Sequence, residues 1–442
     1  MKKTISVILA IMILLSVAGC GEKETLLSKD DPVTLNLWHV YGEQADSPMN
    51  RLVEEFNKTE GLERGVVVKV TNVTSTSRIS SQLIDSAEKK PGSLEMPDIF
   101  SCHTNTAVSI GADNLVDWNG FFTKEELSDY VPEFISDGTL DGKFCVFPVS
   151  KSTYTLYVNG TGFEKFSQNT GVTYDDLATW EGFFDAAEKY YNYSGGQPFC
   201  ALDYLIRHVE LDVMAKGDEL TYTEDGWYDF TDPSLKESWM QFAKALVSGH
   251  IIVSDLYANT QMMTGEVLAG IGSSAAITYF NDTVTYPDNT TENMDLHVLA
   301  LPKTGMGSEY MPQTGVGLAA YKTDDKKAEA AYVFIKWFTQ AKTNLDFVAS
   351  TGYMPSNNAA YDSISEYEFI NEGYKRLYEA IHTMSESYVP VVRPAYDGYY
   401  DKVNVLYAYF RENRGEFVNR INKGESVETL AEETWSFFAG IK

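Results

Sequence analysis

The sequence predicts an α/β protein of two lobes, and three observations lead to that prediction. Segments of strand and helix character alternate near the start of the chain, which is typical of layers built on parallel strands. The chain has 442 residues, more than one hydrophobic core usually holds. Hydrophobic residues make up 44% of it and aromatic residues 13%, as expected of a folded globular protein.

The alternation begins with three predicted strands. Residues 33–38 (VTLNLW) and 66–70 (VVVKV) are rich in β-branched and aromatic residues, and a third short strand begins in 97–100 (PDIF). Helical patterns separate them. Because ligands of such sheets bind beyond the carboxyl ends of the strands, the segments after these three strands are the first places for a site.

The N-terminus has the pattern of a secretory signal. Two lysines precede an apolar run over residues 5–17, which is too short to span a bilayer comfortably. The run ends in small residues, and residues 17–20 (VAGC) resemble the bacterial lipobox. That resemblance implies cleavage before Cys20 and a diacylglycerol lipid on its thiol.

The signal and the composition together predict a location. We expect a lipoprotein signal peptide over 1–19 and a polar, lipid-anchored tether over 20–32 with little power to fold alone. The alternative is a secreted protein in which Cys20 has no special role. A net charge of −28 disfavours nucleic acid and anionic lipid surfaces as partners. The extracellular face of the cell membrane is the expected location, with a cell lacking an outer membrane favoured over a periplasm.

Three cysteines remain besides Cys20: Cys102, Cys145 and Cys200. An odd number allows one disulfide at most, and a domain of this size does not need one. We predict that they are small buried residues rather than a redox pair. The histidines are scattered without metal-ligand spacing, and the G-x-S-x-G, H-E-x-x-H and C-x-x-C motifs are missing. Neither a metal nor another cofactor is expected.

Five segments carry a recognisable pattern in a fixed order. They are LNLWHVYGEQADSPMNRLVEEFNK (35–58), MPDIFSCHTNTAVSIGADNLVDW (96–118), DGKFCVFPVSKSTYTLYVNGTGFEKF (141–166), TWEGFFDAAEKY (179–190) and AAYVFIKWFTQAKTNLDFVASTGYMPSNNAA (330–360). Together they resemble the extracellular solute-binding proteins of family 1, the maltose-binding-protein-like receptors of sugar ABC transporters. One such match alone would be weak, but five in sequence are specific.

The resemblance implies a two-lobed fold of the periplasmic-binding-protein type, class II, that closes like a hinge on a ligand. The lobes would be joined by three crossover segments, near 150–153, 269–274 and 313–317. The N-terminal lobe would hold 33–149 and 274–313, and the C-terminal lobe would hold 154–268 and 318–442. Small and polar residues at the crossovers suit segments that absorb backbone rotation.

The resemblance also implies a function. The protein would bind a carbohydrate, such as an oligosaccharide or a sugar derivative, and deliver it as a monomer to the permease of an ABC importer. Two other classes stay open. One is a surface-anchored carbohydrate-active enzyme, since a catalytic pair is not excluded among 63 acidic residues. The other is a subunit that presents its ligand to a sensor kinase.

Sugar recognition needs flat apolar faces and many hydrogen-bonding groups, so aromatic and polar residues at cleft loops are the candidates. Those that follow strands of the N-terminal lobe are Trp38, His39, Tyr41, Arg78, His103 and Asn105. Those at the crossovers are Lys151, Tyr154, Ser273, Ser274, Gln313 and Thr314. Late candidates are Tyr353, Arg393, Tyr396 and Tyr399. The alternative for Trp38 is that it packs in the core, and the alternative for Tyr41 is that it is a surface loop residue.

Four of these candidates, His39, Arg78, His103 and Lys151, are basic. In an acidic chain, such a cluster suits charge-assisted bonds to a carboxylate or phosphate. A receptor for an anionic solute, such as a sugar acid or glycerophosphate compound, is therefore an alternative. Arginine, lysine and histidine also bind sugar hydroxyls, so the neutral carbohydrate stays the first interpretation.

Overall fold

The computed structural model describes residues 25–42, 47–224, 226–255, 257–393, 396 and 398–442. Cys20, the predicted signal peptide and the start of the predicted tether lie outside the described residues. Within the described ranges, no helix is both long enough and apolar enough to cross a membrane.

The strands in chain order are β1 Val33–His39, β2 Val66–Val73, β3 Ile99–Cys102, β4 Thr139–Leu140, β5 Lys143–Phe144, β6 Phe147–Ser152, β7 Tyr154–Asn159, β8 Cys200–Leu202, β9 Ile251–Val253, β10 Ala269–Ser273, β11 Thr283–Thr285, β12 Thr291–Asn293, β13 Leu296–Leu299, β14 Glu309–Pro312, β15 Thr314–Ala320 and β16 Tyr388–Val391.

The α-helices in chain order are α1 Pro48–Lys58, α2 Glu60–Arg64, α3 Thr76–Ala87, α4 Thr104–Ile110, α5 Lys124–Leu127, α6 Pro132–Asp137, α7 Gly160–Thr170, α8 Trp180–Ser194, α9 Leu205–Ala215, α10 Pro233–Val247, α11 Ala258–Met263, α12 Asp325–Phe338, α13 Ala341–Val348, α14 Asn358–Asp362, α15 Glu372–Ser387, α16 Tyr399–Asn422 and α17 Val427–Ala439.

The first sheet forms the N-terminal lobe, with strands in the order β2-β1-β3-β15-β6. β1, β2 and β3 are parallel, and β15 runs antiparallel between β3 and β6. Helix α1 begins at Pro48 after Ser47, whose side chain accepts a hydrogen bond from the Asn50 N–H. Its apolar face, which includes Leu52 and Phe56, is buried on β2. Burial of this face is what fixes the helix on the sheet.

The second sheet forms the C-terminal lobe, with strands in the order β13-β7-β10-β8-β9. β8, β9 and β10 are parallel, while β7 is antiparallel to both β10 and β13. Every residue of β7 is buried, so its backbone groups need partners on both sides. The two sheets with helices on their faces confirm the predicted two-lobed α/β fold.

The chain passes between the two sheets at places that only partly match the expected crossovers. It leaves the first sheet after β6, at Thr153, and re-enters it after Gln313, where β15 begins. The segment expected to cross at 269–274 does not change sheet, because β10 and the later β13 both belong to the second sheet. The remaining passage lies between α14 and α15, since α15 packs on β13 and β7.

The expected lobe boundaries are therefore wrong in two segments. Residues 274–313 were expected in the N-terminal lobe, yet β13 pairs with β7 and protects its otherwise open edge. Residues 318–442 were expected in the C-terminal lobe, yet β15 continues to Ala320 between β3 and β6. Helix α12, which follows β15, packs on β1 and α1. Both differences come from long-range strand pairing, which local sequence pattern does not encode.

The cysteines are free and buried, as predicted: Cys102, Cys145 and Cys200. Burial raises the pKa of Cys102 to about 12 and that of Cys145 to about 11. Because the thiolate is the reactive form, these thiols are unreactive near neutral pH. They serve as small core residues.

Candidate ligand-binding cleft

Two sheet edges meet where the chain passes from β6 to β7. In the first sheet, β1, β2 and β3 end at the edge where β6 also ends, because Ser152 pairs with Thr314 at the start of the antiparallel β15. In the second sheet, β8, β9 and β10 end where β7 begins, because Ser273 pairs with Tyr154. Only Thr153 separates the end of β6 from the start of β7. The carboxyl edges of the two sheets therefore border one cleft, the usual place for a ligand in such folds.

Trp38 and His39, at the end of β1, are buried rather than presented to the cleft. The ring Nε2 of His39 lies 2.8 Å from Asn50 Oδ1, and its Nδ1 lies 3.1 Å from the Tyr41 backbone nitrogen, which donates to it. Nδ1 is therefore the acceptor, and Nε2 carries the proton donated to Asn50. Burial lowers the pKa of His39 against the effect of the Asn50 bond, so the ring is neutral. Both side chains serve to fix the strand end.

Tyr41 and Tyr353 form an aromatic contact between β1 and the turn after α13. Their ring centroids lie 6.1 Å apart, edge to face, and Phe347 packs against both. Tyr41 is buried and its hydroxyl is hydrogen-bonded to Ser150 of β6. Tyr353 is half-buried, so of this pair it alone retains an accessible face for a ligand.

The polar candidates that reach solvent on the N-terminal lobe are Arg78, Asn105 and Thr314. Each follows or begins a strand at the cleft edge. His103, beside them, is half-buried and its Nδ1 lies 3.0 Å from the Gly315 carbonyl oxygen. Burial lowers the pKa of His103, opposed by the Gly315 hydrogen bond. This edge of the cleft therefore offers mainly neutral hydrogen-bonding groups and one arginine.

Lys151 does not offer a free charge to the cleft. Its side chain is only 2% exposed and its ammonium is paired with Asp137 of α6. Its carbonyl oxygen accepts the Met354 N–H at the hinge. A buried lysine is tolerated only with such a partner, so Lys151 serves as a structural link between β6 and α6.

The C-terminal lobe presents aromatic rings at its cleft edge. Tyr154, at the start of β7, is buried and stacks on Tyr204, with centroids 4.9 Å apart and planes 12° from parallel. Tyr204, Tyr257 and Tyr400 are exposed by 36%, 59% and 74%, respectively. Burial raises the pKa of Tyr204 to about 12, and the neighbouring Asp203, Tyr257 and Tyr400 add to the shift. We name the three exposed rings, Tyr204, Tyr257 and Tyr400, the tyrosine surface.

The tyrosine surface is not among the candidates predicted from the sequence. Tyr204 lies two residues after β8, and Tyr257 follows β9 at the start of α11. The carboxyl-end rule that selected His103 would have found both, had β8 and β9 been recognised. Each is only three residues long, too short to show a strand period.

Ser273 and Ser274 hold the passage between the lobes together. The Ser274 N–H donates to the Thr153 carbonyl oxygen at 2.7 Å. The Tyr157 hydroxyl lies 2.9 Å from the Ser273 carbonyl oxygen and 3.0 Å from that of Ser274. The bonds join the backbone groups of Ser273 and Ser274 to Thr153 and Tyr157. The two serines therefore have a structural role at the passage from β6 to β7.

Gln313 is placed where a ligand group or water would complete its hydrogen bonds. Its side chain is 4% exposed, and neither amide atom has a hydrogen-bond partner among the described residues. Its backbone N–H donates to the Val391 carbonyl oxygen, which Arg207 also binds. An unpaired buried amide is costly, which makes Gln313 a strong candidate for ligand contact.

Arg393, Tyr396 and Tyr399 belong to a buried network centred on Glu210 of α9. Arg393 Nε lies 2.9 Å from Glu210 Oε1, and its guanidinium stacks on the Tyr399 ring. Burial alone would lower the pKa of Arg393, but the charge of Glu210 outweighs it and raises that pKa. Tyr396 packs on Tyr222 beside the guanidinium. Through Tyr399, the first residue of α16, the network holds the start of the helix that carries Tyr400.

The sequence profile described as bacterial extracellular solute-binding protein matches residues 51–369. The chain belongs to this family. No curated protein matches its sequence.

Solved structures share the fold of this solute-binding protein at low identity. The cyclic alpha-maltosyl-1,6-maltose binding protein of Arthrobacter globiformis is 17% identical, with a TM-score of 0.68 over 93% of this chain and 99% of that one. The sugar-binding protein MalE of Xanthomonas citri is 14% identical, with a TM-score of 0.64 over 92% and 97%. UgpB of Mycobacterium tuberculosis, solved with glycerophosphocholine, is 16% identical, with a TM-score of 0.62 over 92% and 98%.

The basic cluster expected at the cleft of the solute-binding protein is largely neutralised. His39 is a neutral buried ring, Lys151 is paired with Asp137, and burial lowers the pKa of His103. Arg78 alone of the four is exposed. No cluster of metal-ligand type occurs in the part of the chain that the structure describes.

Asp203 is expected to make the solute-binding protein less stable as the pH rises towards 7. Burial raises its pKa to about 6, against hydrogen bonds from the Ala258 N–H and Ser254. The folded state therefore holds the proton more tightly than the unfolded state, whose carboxyl titrates near 4. This stabilisation is complete below pH ~4 and is lost as the pH rises through about 6. A shift of roughly two pKa units corresponds to at most ~3 kcal/mol.

Asp203→Asn keeps an oxygen acceptor for Ala258 and removes the titration. Urea unfolding of both proteins at pH 4.5 and 7.5 measures the effect. We expect the variant to gain stability relative to the unmodified chain at the higher pH. Equal pH dependence of the two proteins would show that Asp203 titrates normally.

Proposed function

We propose that this solute-binding protein is a lipid-anchored receptor that binds a neutral carbohydrate between its lobes and delivers it to the permease of an ABC importer. The observation that carries the proposal is the tyrosine surface, which lies at one edge of the cleft opposite exposed polar side chains. Pyranose rings have apolar C–H faces that stack on aromatic rings and hydroxyls that need hydrogen-bond partners. The tyrosine surface supplies the apolar faces, and the polar side chains at the opposite edge supply the hydrogen-bond partners.

The charge at the cleft supports a neutral rather than an anionic ligand. Three of the four basic candidates are neutral or paired. Arg207 and Arg393 share the single carboxylate Glu210, so these three side chains together carry one net positive charge that an anionic ligand could use. The anionic alternative rests on Arg78, which is exposed, and on the glycerophosphocholine bound by the similar UgpB. One guanidinium also suits a sugar hydroxyl, so it does not by itself select an anion.

Binding without catalysis is the proposed activity. Members of the family are binding proteins, and in this chain the buried carboxylate Glu210 is engaged by Arg207 and Arg393. Ligand contacts from both lobes would stabilise the closed arrangement, and a permease would recognise that state. The proposed anchor is the lipid on Cys20, which would keep the receptor at the extracellular face of the membrane, near its transporter.

A thermal-shift screen of neutral sugars, sugar acids and glycerophosphate compounds tests the ligand class. A ligand present at a hundredfold excess over its Kd adds ~2.7 kcal/mol to the stability of the folded state. For a protein of this size we expect a rise in Tm of about 3 °C. The hit sugar should be recovered unchanged after incubation.

Hits confined to anionic compounds, with affinity that falls steeply as salt increases, would replace the neutral carbohydrate with the anionic alternative. Conversion of the sugar into products would show a carbohydrate-active enzyme instead.

A further inference from the structure

One carboxyl group joins the two segments that carry Tyr204 and Tyr257 of the tyrosine surface. Asp203 lies between the end of β8 and Tyr204, and its Oδ1 accepts the Ala258 N–H at 2.7 Å. Ala258 directly follows Tyr257 and begins α11. A single hydrogen bond therefore connects the residue before one exposed ring to the residue after the other.

The two ends of this hydrogen bond differ in how firmly the sheet holds them. The Asp203 N–H donates to the Ile271 carbonyl oxygen of β10 at 3.0 Å, and the next residue, Tyr204, stacks on the buried Tyr154. Tyr257 lies beyond the end of β9, and the helix that follows it has only six residues. So short a helix has little stability of its own, so its start depends on tertiary bonds such as the one to Asp203.

The ends of three strands converge on the Asp203 carboxyl. A Cβ on Gly272 of β10 would lie 2.4 Å from Asp203 Oδ2, so a larger residue at that position would displace the carboxyl. Ser254, directly after β9, also hydrogen-bonds to the carboxyl. The side chain thus has a defined place at the cleft edge, directly between the two tyrosine segments.

Hydrogen bonds rather than a counter-charge hold the carboxyl among the described residues. The titratable side chains that interact with it are a thiol and two phenols, whose pKa values burial raises: Cys200, Tyr157 and Tyr204. All three are neutral near pH 7. From β9, β10 and α11 the neighbours are Ser254, Gly272 and the Ala258 N–H, which do not titrate.

Ionisation of Asp203 strengthens its hold on the start of α11. A carboxylate only accepts hydrogen bonds, and its charge-assisted bonds are roughly twice as strong as neutral ones. Protonation turns one oxygen into a donor and leaves a weaker bond to Ala258. Burial raises the pKa of Asp203 to about 6, so the carboxyl changes form over roughly pH 5–7.

The ionised carboxyl also lowers the stability of the fold, because its burial favours the protonated form. A buried carboxyl of this kind beside a cleft is typical of a functional site. The geometry gives Asp203 such a function, since its one hydrogen bond to α11 acts next to an exposed aromatic ring.

We propose that Asp203 is a positioning residue for Tyr257: its carboxylate fixes the start of α11, and with it the Tyr257 ring, so that carbohydrate affinity falls when the protein is acidified. In this role Asp203 acts through the ring rather than on the sugar. The role rests on the proposed function, because it requires that the tyrosine surface binds a sugar.

The direction of the pH dependence is diagnostic. A sugar bound over the cleft edge would remove water from the carboxyl and favour its uncharged form, which by itself would strengthen binding in acid. Positioning by the carboxylate has the opposite sign. Because protonated Asp203 stabilises the fold, weaker binding in acid does not result from unfolding through this group.

Calorimetric titration between pH 7.5 and 5.0 tests the role, with the neutral sugar that raises Tm most in the thermal-shift screen. For the unmodified chain we expect Kd to increase about threefold to tenfold as the pH falls, the effect of weakening one hydrogen bond. Asp203→Asn keeps an oxygen for Ala258 but has no charge. Its Kd should be constant over this range and close to that of the unmodified chain at pH 5.0.

A double-mutant cycle shows whether Asp203 acts through Tyr257. Tyr257→Ala should already abolish the pH dependence, and Asp203→Asn added to it should leave Kd unchanged. Additive losses, or a pH dependence that survives Tyr257→Ala, would mean that Asp203 acts on the sugar directly and would overturn the positioning role.

Glu266→Gln is the matched control. Glu266 accepts a hydrogen bond from Gln261 of the same helix at 2.9 Å, but it lies before β10 begins, at the edge of the sheet opposite the cleft. This variant should keep both Kd and its pH dependence. In the unmodified chain, a Kd that stays constant or decreases in acid overturns the inference. If no sugar binds at pH 7.5, the proposed function itself fails, and the inference with it.

Discussion

Replacement of Tyr204, Tyr257 and Tyr400 by alanine is expected to weaken carbohydrate binding by about a hundredfold or more. Each exposed ring offers a flat apolar face, and a stacking contact contributes roughly 1–2 kcal/mol including the area it buries. Three such losses amount to ~3–6 kcal/mol, and every 1.4 kcal/mol is about tenfold in Kd. Calorimetric titration with a hit from the thermal-shift screen measures the change.

Two matched variants separate the loss of a binding face from general damage. Tyr204→Phe keeps the ring that stacks on Tyr154 and should bind nearly as well as the unmodified chain. Tyr193, exposed near the end of α8, lies at the opposite edge of the second sheet, so Tyr193→Ala should leave Kd unchanged. Binding by the triple alanine variant that matches the unmodified chain would remove the tyrosine surface from the site.

Glu210→Ala is expected to destabilise the protein by about 3–5 kcal/mol, because it leaves two buried cations without their counter-charge. Glu210 is fully buried, with Oε2 2.7 Å from Arg207 and Oε1 2.9 Å from Arg393. The Tyr228 hydroxyl also donates to it. Through these bonds one carboxylate joins α9, the loop before α10 and the segment before α16. Its loss should lower the urea midpoint strongly.

The control for this prediction is an ion pair of the same lobe that lies in solvent. Glu428 of α17 pairs with Lys244 of α10 at 2.7 Å, and both side chains are exposed. Exposed pairs contribute ~0–1 kcal/mol, so Glu428→Ala should change the unfolding free energy little. Glu210→Gln, which keeps the shape and loses the charge, should fall between the two alanine variants. An effect of Glu210→Ala as small as that of Glu428→Ala would mean that the network is dispensable.

The parts of the fold that are local in the chain were predictable from the sequence. The strand at 33–38 and the helix after Ser47 follow from residue type and spacing, and both occur as β1 and α1. The pairing of β13 with β7 was not predictable, because a four-residue strand fits any open edge. β13 pairs with β7 because the fully buried β7 needs a partner at its open edge, and the burial of β7 is known only from the assembled sheet.

The candidate site, like the fold, was predictable from the sequence only in part. The rule that ligands bind at strand carboxyl ends places Asn105 along the cleft, and the crossovers implied by the family resemblance place Tyr154 and Thr314 there. The rule gives a position along the chain but not the direction of a side chain, so His39 and Tyr41 were expected in the cleft although they are buried. The sequence also does not show whether a basic side chain is paired with an acidic one. That Lys151 is neutralised by Asp137 depends on a contact between β6 and α6 that composition does not show.

Calorimetric titration of variants from both walls of the cleft is the most direct test that a carbohydrate binds between the lobes. Asn105→Ala changes the N-terminal lobe and Tyr204→Ala the C-terminal lobe, and both side chains reach solvent at the facing edges. With one sugar bound per chain and recovered intact, each variant is expected to weaken binding, by about threefold to tenfold for a lost hydrogen bond and about tenfold for a lost ring. A sugar whose affinity responds to changes in one lobe only would contradict binding between the two.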